Sequence, residues 1–140
     1  MNEQQLKDKL YGYKITLERR NTLDIRIADS WRDFGPQGLS YDKEKLSPSH
    51  KFSSATENEA YRHMEEYEEL IKEHGKLDSE VKQIDAALRA LDDREQKVIR
   101  MFYIERKNWV DVAHEIDRTY EHTKRFLHKE AINKMMKVLR

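Results

Sequence analysis

Residues 91–140 read LDDREQKVIRMFYIERKNWVDVAHEIDRTYEHTKRFLHKEAINKMMKVLR. This stretch predicts three helices, with a tight corner between the second and the third. The third helix is predicted from Tyr120 to about Val138. Two short helices joined by a three-residue turn, with a preceding helix to complete the core, are typical of a helix-turn-helix. Each helix starts with a candidate N-cap, namely Asp92 in a capping box with Glu95, then Asn108, then Thr119.

The predicted corner favours particular residue types at several positions. Ala113 lies where the two helices approach most closely, so a small side chain is favoured there. Ile116 and Thr123 flank the turn and are expected to meet across it. Position 117 favours a residue that accepts a positive φ, and aspartate tolerates this conformation better than most residues, at some cost. The inner side of the third helix is predicted to carry Thr123, Phe126, Leu127, Ile132 and Met135.

The first ninety residues predict a helical hairpin. On the first helix, apolar residues recur every three or four positions, interrupted by Arg20 and Asp24: Leu6, Leu10, Tyr13, Leu17, Ile27 and Trp31. A capping box of Thr56 and Glu59 is predicted to open the second helix. Its apolar seam is Met64, Tyr67, Ile71, His74, Leu77, Val81, Ile84, Leu88 and Leu91. Such a seam packs in coiled-coil style, either within the chain or in a homodimer or another protein complex.

Between these helices, residues 34–55 are rich in Gly, Pro and Ser and contain both prolines, Pro36 and Pro48. This composition predicts a flexible linker. Gly75 interrupts the second helix at a cost of about 1 kcal/mol relative to alanine, which allows a kink or break there. The domains are therefore predicted as 1–90, a helical hairpin with this linker, and 91–140, a helix-turn-helix domain.

The composition of the chain favours an all-α fold and excludes several classes of protein. Of 140 residues, 39% are charged, and only four are glycine and two proline. The absence of cysteine excludes disulfides, thiolate catalysis and cysteine-ligated zinc. The six histidines form no metal-ligand pattern, and the glycines are too scattered for a phosphate-binding loop. We therefore expect no enzyme activity, no cofactor and no metal.

No membrane segment or secretory signal is visible in the sequence. No apolar run reaches the roughly 18 to 20 residues that span a bilayer. The N-terminus lacks a basic stretch followed by an apolar core. We therefore expect a cytoplasmic protein without a membrane partner.

Charge divides the chain. Residues 1–90 carry a net charge of −3, and residues 91–140 carry +3. Between Arg118 and Arg140 there are seven basic and two acidic residues. A basic third helix is the electrostatic footprint of phosphate contact, which favours double-stranded DNA as the partner. The candidate DNA contacts are Arg118, Thr119, Tyr120, Glu121, His122, Lys124 and Arg125, together with His128 and Lys129, which lie further along and are expected to meet phosphate.

From Leu91 to Leu139 the chain resembles region 4 of bacterial sigma factors. In that family a leading Leu-x-x-Arg-Glu opens an apolar helix, and a helix carrying Ile-Ala and a Ser/Thr-capped recognition helix follow. The usual glycine at 117 and apolar residue at 118 are absent here. The residues that match the family pattern are Leu91, Arg94, Glu95, Val98, Ile99, Val112, Ala113, Ile116 and Thr119.

The whole chain is similar to small phage-encoded regulators of the ArpU and RinA type. Members of this family have an N-terminal helical segment fused to a sigma-region-4-like helix-turn-helix, and they lack the region 2 that binds core polymerase. Members of that family activate phage late genes, such as packaging and structural operons. The resemblance implies a promoter-binding transcriptional activator that contacts RNA polymerase in the cytoplasm of the host bacterium.

Two other classes of protein fit the same pattern. A phage small terminase subunit also combines a helix-turn-helix with an oligomerising helical hairpin, and it recognises packaging DNA. In that class the DNA-binding module usually comes first in the chain, whereas here it comes last. The other alternative is a helical protein that binds only protein partners.

Overall fold

A computed structural model of the chain describes the backbone of residues 1–34 and 54–140. No strand occurs in these residues, so the predicted all-α fold class is confirmed for the described part of the chain. The elements are α1 (Glu3–Phe34), α2 (Ser54–Arg89), α3 (Asp93–Ile99), the π-helical segment π1 (Arg100–Ile104), α4 (Trp109–Glu115), the π-helical segment π2 (His122–Leu127) and α5 (His128–Val138).

The helix at the end of the chain is continuous over residues 120–138, because Tyr120 and Glu121 are helical and lead into π2 and α5. We call it the C-terminal helix, and its bounds agree with the prediction. The predicted linker lies almost wholly outside the described residues, since α1 ends at Phe34 and α2 begins at Ser54. None of the described helices combines the length and the apolarity needed to cross a membrane.

The described residues form two compact units. Unit 1 contains residues 1–17 and 79–140, and unit 2 contains the described part of residues 18–78. The helix-turn-helix segment 91–140 thus lies in the same unit as the start of α1 and the end of α2.

The hydrophobic core of unit 1 draws on four helical segments. Its buried members are Leu6, Leu10 and Tyr13 from α1, Val81, Ile84, Ala87 and Leu88 from α2, Leu91 from the connection to α3, Ile99 and Tyr103 from the continuous helix of α3 and π1, and Ala131, Ile132 and Met135 from α5. The apolar stripes predicted for the start of α1 and the end of α2 therefore do face a core. A second, smaller cluster lies beneath α4 and contains Val98, Met101, Val112 and Ile116.

Unit 2 buries the apolar side chain of Leu23 and also pairs charged side chains of α1 and α2. A guanidinium nitrogen of Arg20 lies 3.1 Å from a carboxylate oxygen of Asp78. Nε2 of His74 lies 2.5 Å from a carboxylate oxygen of Asp24. Residue numbers rise along α1 as they fall along α2, so the two helices are antiparallel within this unit. Both charged interruptions of the α1 stripe thus have polar partners on α2, as does the neighbouring Arg19, which pairs with Glu73.

Two predicted members of the apolar seam of α2 lie outside it. The helix begins at Ser54, two residues before the predicted cap Thr56, whose side chain is outside the part that the structure describes. Met64 and Ile71 are 60% and 46% exposed, because the inward side of α2 runs through the half-buried Tyr67 and His74 and not through them. The helix is also unbroken at Gly75. Intrahelical hydrogen bonding on both sides outweighs the small propensity cost of one glycine.

Candidate nucleic-acid interface

The corner between α4 and the C-terminal helix has the predicted conformation. Asp117 has a φ of 55°, in the left-handed region. This reversal lets the amide of Arg118 donate to the carbonyl of Ala113 at 3.0 Å, which closes the end of α4. Ala113 is 5% exposed, in agreement with the expected close approach of the helices. The turn therefore ends α4 and redirects the chain within three residues.

Side-chain caps start the helices of this region as predicted. Asp92 and Glu95 form a reciprocal capping box at α3, and the Asn108 side chain accepts from an amide in the first turn of α4. The Thr119 hydroxyl accepts from the amide of His122 at 3.2 Å. These bonds satisfy amide groups that would otherwise have no partner at a helix start, and each cap contributes about 1 kcal/mol.

One predicted inner residue of the C-terminal helix points outward. Phe126 is 54% exposed, whereas Thr123 is fully buried and donates its hydroxyl to the carbonyl of Thr119 at 2.8 Å. The cause is π2, in which the amide of His128 donates to the carbonyl five residues back, at Thr123. Each π turn holds an extra residue, so the inward side advances from position 126 to positions 127 and 128.

The C-terminal helix is tied to π1 by a hydrogen bond between side chains. The hydroxyl oxygen of Tyr103 lies 2.6 Å from Nε2 of His128. Burial lowers the pKa of His128 to about 4, while a hydrogen bond to the backbone of Lys124 acts in the opposite direction. Burial also raises the pKa of the Tyr103 hydroxyl. At neutral pH the phenol is therefore the donor and the uncharged imidazole is the acceptor.

Aromatic rings surround this hydrogen bond. The Phe102 and Trp109 rings stack with their centroids 3.8 Å apart, and the Trp109 ring meets the His128 ring edge-on at 4.8 Å. The Tyr11 ring of α1 lies edge-on to Tyr103 at 4.7 Å. His128 is thus enclosed on several sides, which explains why its charged form is disfavoured. Sequence reasoning, which treated it as a phosphate contact, missed this environment.

A second polar link joins α3 to the C-terminal helix. Glu95 is only 2% exposed, and its Oε1 accepts from the Lys134 ammonium at 2.7 Å. This hydrogen bond raises the pKa of Lys134. The other carboxylate oxygen of Glu95 is buried and makes no hydrogen bond among the described residues. Lys134 is therefore engaged within unit 1, although the sequence counts it among the basic groups of the helix.

Nearly all the predicted contact residues lie on the surface. His128 is half-buried, while the exposed residues are Arg118, Thr119, Tyr120, Glu121, His122, Lys124, Arg125 and Lys129. The Lys124 ammonium lies 5.6 Å from the centre of the Tyr120 ring and 3.5 Å from its hydroxyl, so the two side chains are held together one turn apart. The turn and the helix thus present a basic, partly aromatic surface.

No metal centre accompanies this surface, since the described residues contain no group of three or more His, Asp or Glu side chains placed to hold a metal ion. Comparisons with protein-family models, with curated proteins and with solved structures found no match to this chain.

Proposed function

We propose that this chain is a sequence-specific DNA-binding transcriptional regulator whose C-terminal helix enters the major groove of a duplex. The observation that carries the proposal is an exposed cationic helix that follows a three-residue corner with a left-handed residue at Asp117. This is the arrangement in which helix-turn-helix proteins present a recognition helix. At the start of the helix Tyr120, Glu121 and His122 are exposed, whereas Thr123 is buried against the turn.

Charge supports the same conclusion. Unit 1 has 17 basic and 13 acidic residues, and seven of the basic residues fall between Arg118 and Arg140. Lys124, Arg125 and Lys129 are exposed and project from the C-terminal helix. We assign phosphate contacts to these three side chains. Phosphate contacts supply affinity and fix the register of the protein on the duplex, but they carry no sequence information.

Base readout is assigned to the first turn of the helix, where Tyr120, Glu121 and His122 are exposed. Carboxylate and imidazole groups can accept or donate hydrogen bonds to base edges. His128, predicted as a phosphate contact, has a different role in this proposal. Its uncharged ring accepts from Tyr103 and holds the helix in place.

The regulatory part of the proposal rests on the resemblance to phage late regulators. Under it, the protein binds a promoter of phage late genes in the bacterial cytoplasm and contacts RNA polymerase as an activator. The N-terminal helices offer a surface for a homodimer or another protein. A dimer predicts paired half-sites about one DNA turn apart. Footprinting on genomic fragments separates the alternatives, because protection upstream of a transcription start favours the regulator and protection at a packaging site favours a small terminase.

Salt dependence tests DNA binding directly. The full chain is titrated onto duplex fragments, with binding followed by fluorescence anisotropy. If Lys124, Arg125 and Lys129 each neutralise one phosphate, affinity should fall by about 40-fold between 50 and 200 mM salt. Replacing both Lys124 and Arg125 with alanine should weaken binding and reduce the slope of log affinity against log salt by about 2.

A matched control replaces two exposed lysines of α2, Lys72 and Lys76, with alanine. This control removes the same charge from the other unit and should leave the slope unchanged. Circular dichroism should show equal helicity in both double variants. Absence of binding to any duplex at low salt, or equal effects of the two double variants, would refute the proposal.

A further inference from the structure

An exposed phenylalanine lies on the basic surface of the C-terminal helix. The Phe126 side chain is 54% exposed. Its ring stacks on that of His122, one turn earlier, with 5.1 Å between centroids and an angle of 18° between planes. His122 is itself exposed. The stack therefore holds the phenyl ring in a defined orientation at the surface.

The neighbours of this ring are cationic. Arg125 precedes Phe126, and Lys129 follows it by three residues, close to one helical turn; both side chains are exposed. A single exposed apolar residue is common on protein surfaces and needs no explanation by itself. Phe126 differs because its ring is ordered by a stack and is flanked by charges suited to phosphate.

We propose that Phe126, held by His122, contacts the C5-methyl group of thymine in the major groove and so makes the protein select T·A pairs at that position. This inference rests on the proposed DNA-binding function and adds the class of base pair to it. The reason is chemical. A phenyl ring has no hydrogen-bond donor or strong acceptor, and the thymine methyl is the apolar group that base edges offer in the major groove.

Thymine and uracil differ only by this methyl group, so replacing thymine with uracil in the duplex tests the proposed contact. Duplexes that bind the full chain are selected from a random-sequence library and synthesised in two forms, one with thymine and one with deoxyuridine throughout. Burial of one methyl group is worth about 0.8 kcal/mol, so affinity should fall about fourfold for each contacted methyl in the deoxyuridine duplex. Phe126→Ala should bind the two duplexes equally.

Two controls support the interpretation. Val110→Ala removes apolar surface from a residue of α4 that is 63% exposed, and it should retain the full preference for thymine. Phe126→Ala leaves the charge unchanged, so its salt slope should equal that of the unmodified protein. Because Phe126 is exposed, this variant should also keep its helicity.

The possible outcomes separate this inference from the proposed function. Failure to bind any duplex refutes the proposed function. Binding with equal affinity for thymine and deoxyuridine duplexes leaves DNA binding intact and overturns the role of Phe126. The role is also overturned if Phe126→Ala keeps its preference for thymine but loses binding to RNA polymerase, since the ring would then contact protein.

Discussion

Acid should destabilise unit 1 through His128. The pKa of this side chain is lowered from 6.5 to about 4 in the folded protein, and burial is the main cause. Between these two values the unfolded chain binds more protons than the folded one, so the free energy of unfolding decreases as the pH falls. The contribution of His128 is therefore complete above about pH 6.5 and is lost progressively as the pH falls towards 4.

The size of the effect follows from the shift. Each pKa unit corresponds to about 1.36 kcal/mol, so a medium near pH 5, about 1.5 units below the unfolded value, should cost about 2 kcal/mol relative to neutral pH. His128→Gln keeps a polar side chain that can accept from Tyr103 but does not titrate. This variant should therefore lose about 2 kcal/mol less than the unmodified protein over the same interval.

The chain contains two tryptophans, which simplifies the assay. In a Trp31→Phe background, the fluorescence of Trp109 alone reports on urea unfolding. The centroid of the Trp109 ring lies 4.8 Å from that of the His128 ring. Unfolding free energies are measured at about pH 7.5 and pH 5 for the parent, for His128→Gln and for His114→Gln. His114→Gln is the matched control, because it removes an exposed histidine from the same unit. Equal pH dependence in the parent and His128→Gln would refute the reasoning.

Two further predictions concern backbone conformation. Gly12 and Gly75 lie inside long helices, and a Cβ atom at either position would meet no atom within 4 Å. Alanine at each position should therefore raise the free energy of unfolding by about 1 kcal/mol. Thermal unfolding measures this change, and a lower free energy of unfolding for either variant would contradict the prediction. Asp117 has a φ of 55°, so Asp117→Gly should stabilise unit 1 by about 0.5 to 1 kcal/mol with DNA affinity retained. Urea unfolding tests this change, and destabilisation would mean that the aspartate side chain holds the corner.

Local rules were sufficient to predict the start and end of the helices in 91–140. The caps at Asp92, Asn108 and Thr119 depend on residues within three positions, and all three form as predicted. The turn favours a residue that accepts a positive φ at position 117, and Asp117 does adopt a positive φ. Such features are readable from sequence because their energies depend on neighbours along the chain.

Which side chains of 91–140 point into the core was harder to predict from the sequence. A helical period of 3.6 residues places Phe126 beside Thr123 on the inner side, but π2 inserts an extra residue into that turn. The sequence carries no clear signal for this insertion, because it depends on contacts with π1 and α3 that are distant along the chain. For the same reason the burial of Glu95 and His128 was missed. Glu95 was interpreted as a capping residue and His128 as a phosphate contact, without the helices that enclose them.

Two polar links reinforce the rotation of the C-terminal helix that its apolar face sets. Apolar packing around Ile99, Ala131 and Ile132 turns one side of the helix towards α3. Hydrogen bonds require defined distances and angles. Glu95 binds Lys134 at one end of the contact and Tyr103 binds His128 at the other. Rotation of the helix would break both bonds and leave the buried Glu95 carboxylate without its cation. The surface proposed for DNA is thus defined by residues on the opposite side of the helix, which take no part in the proposed contact.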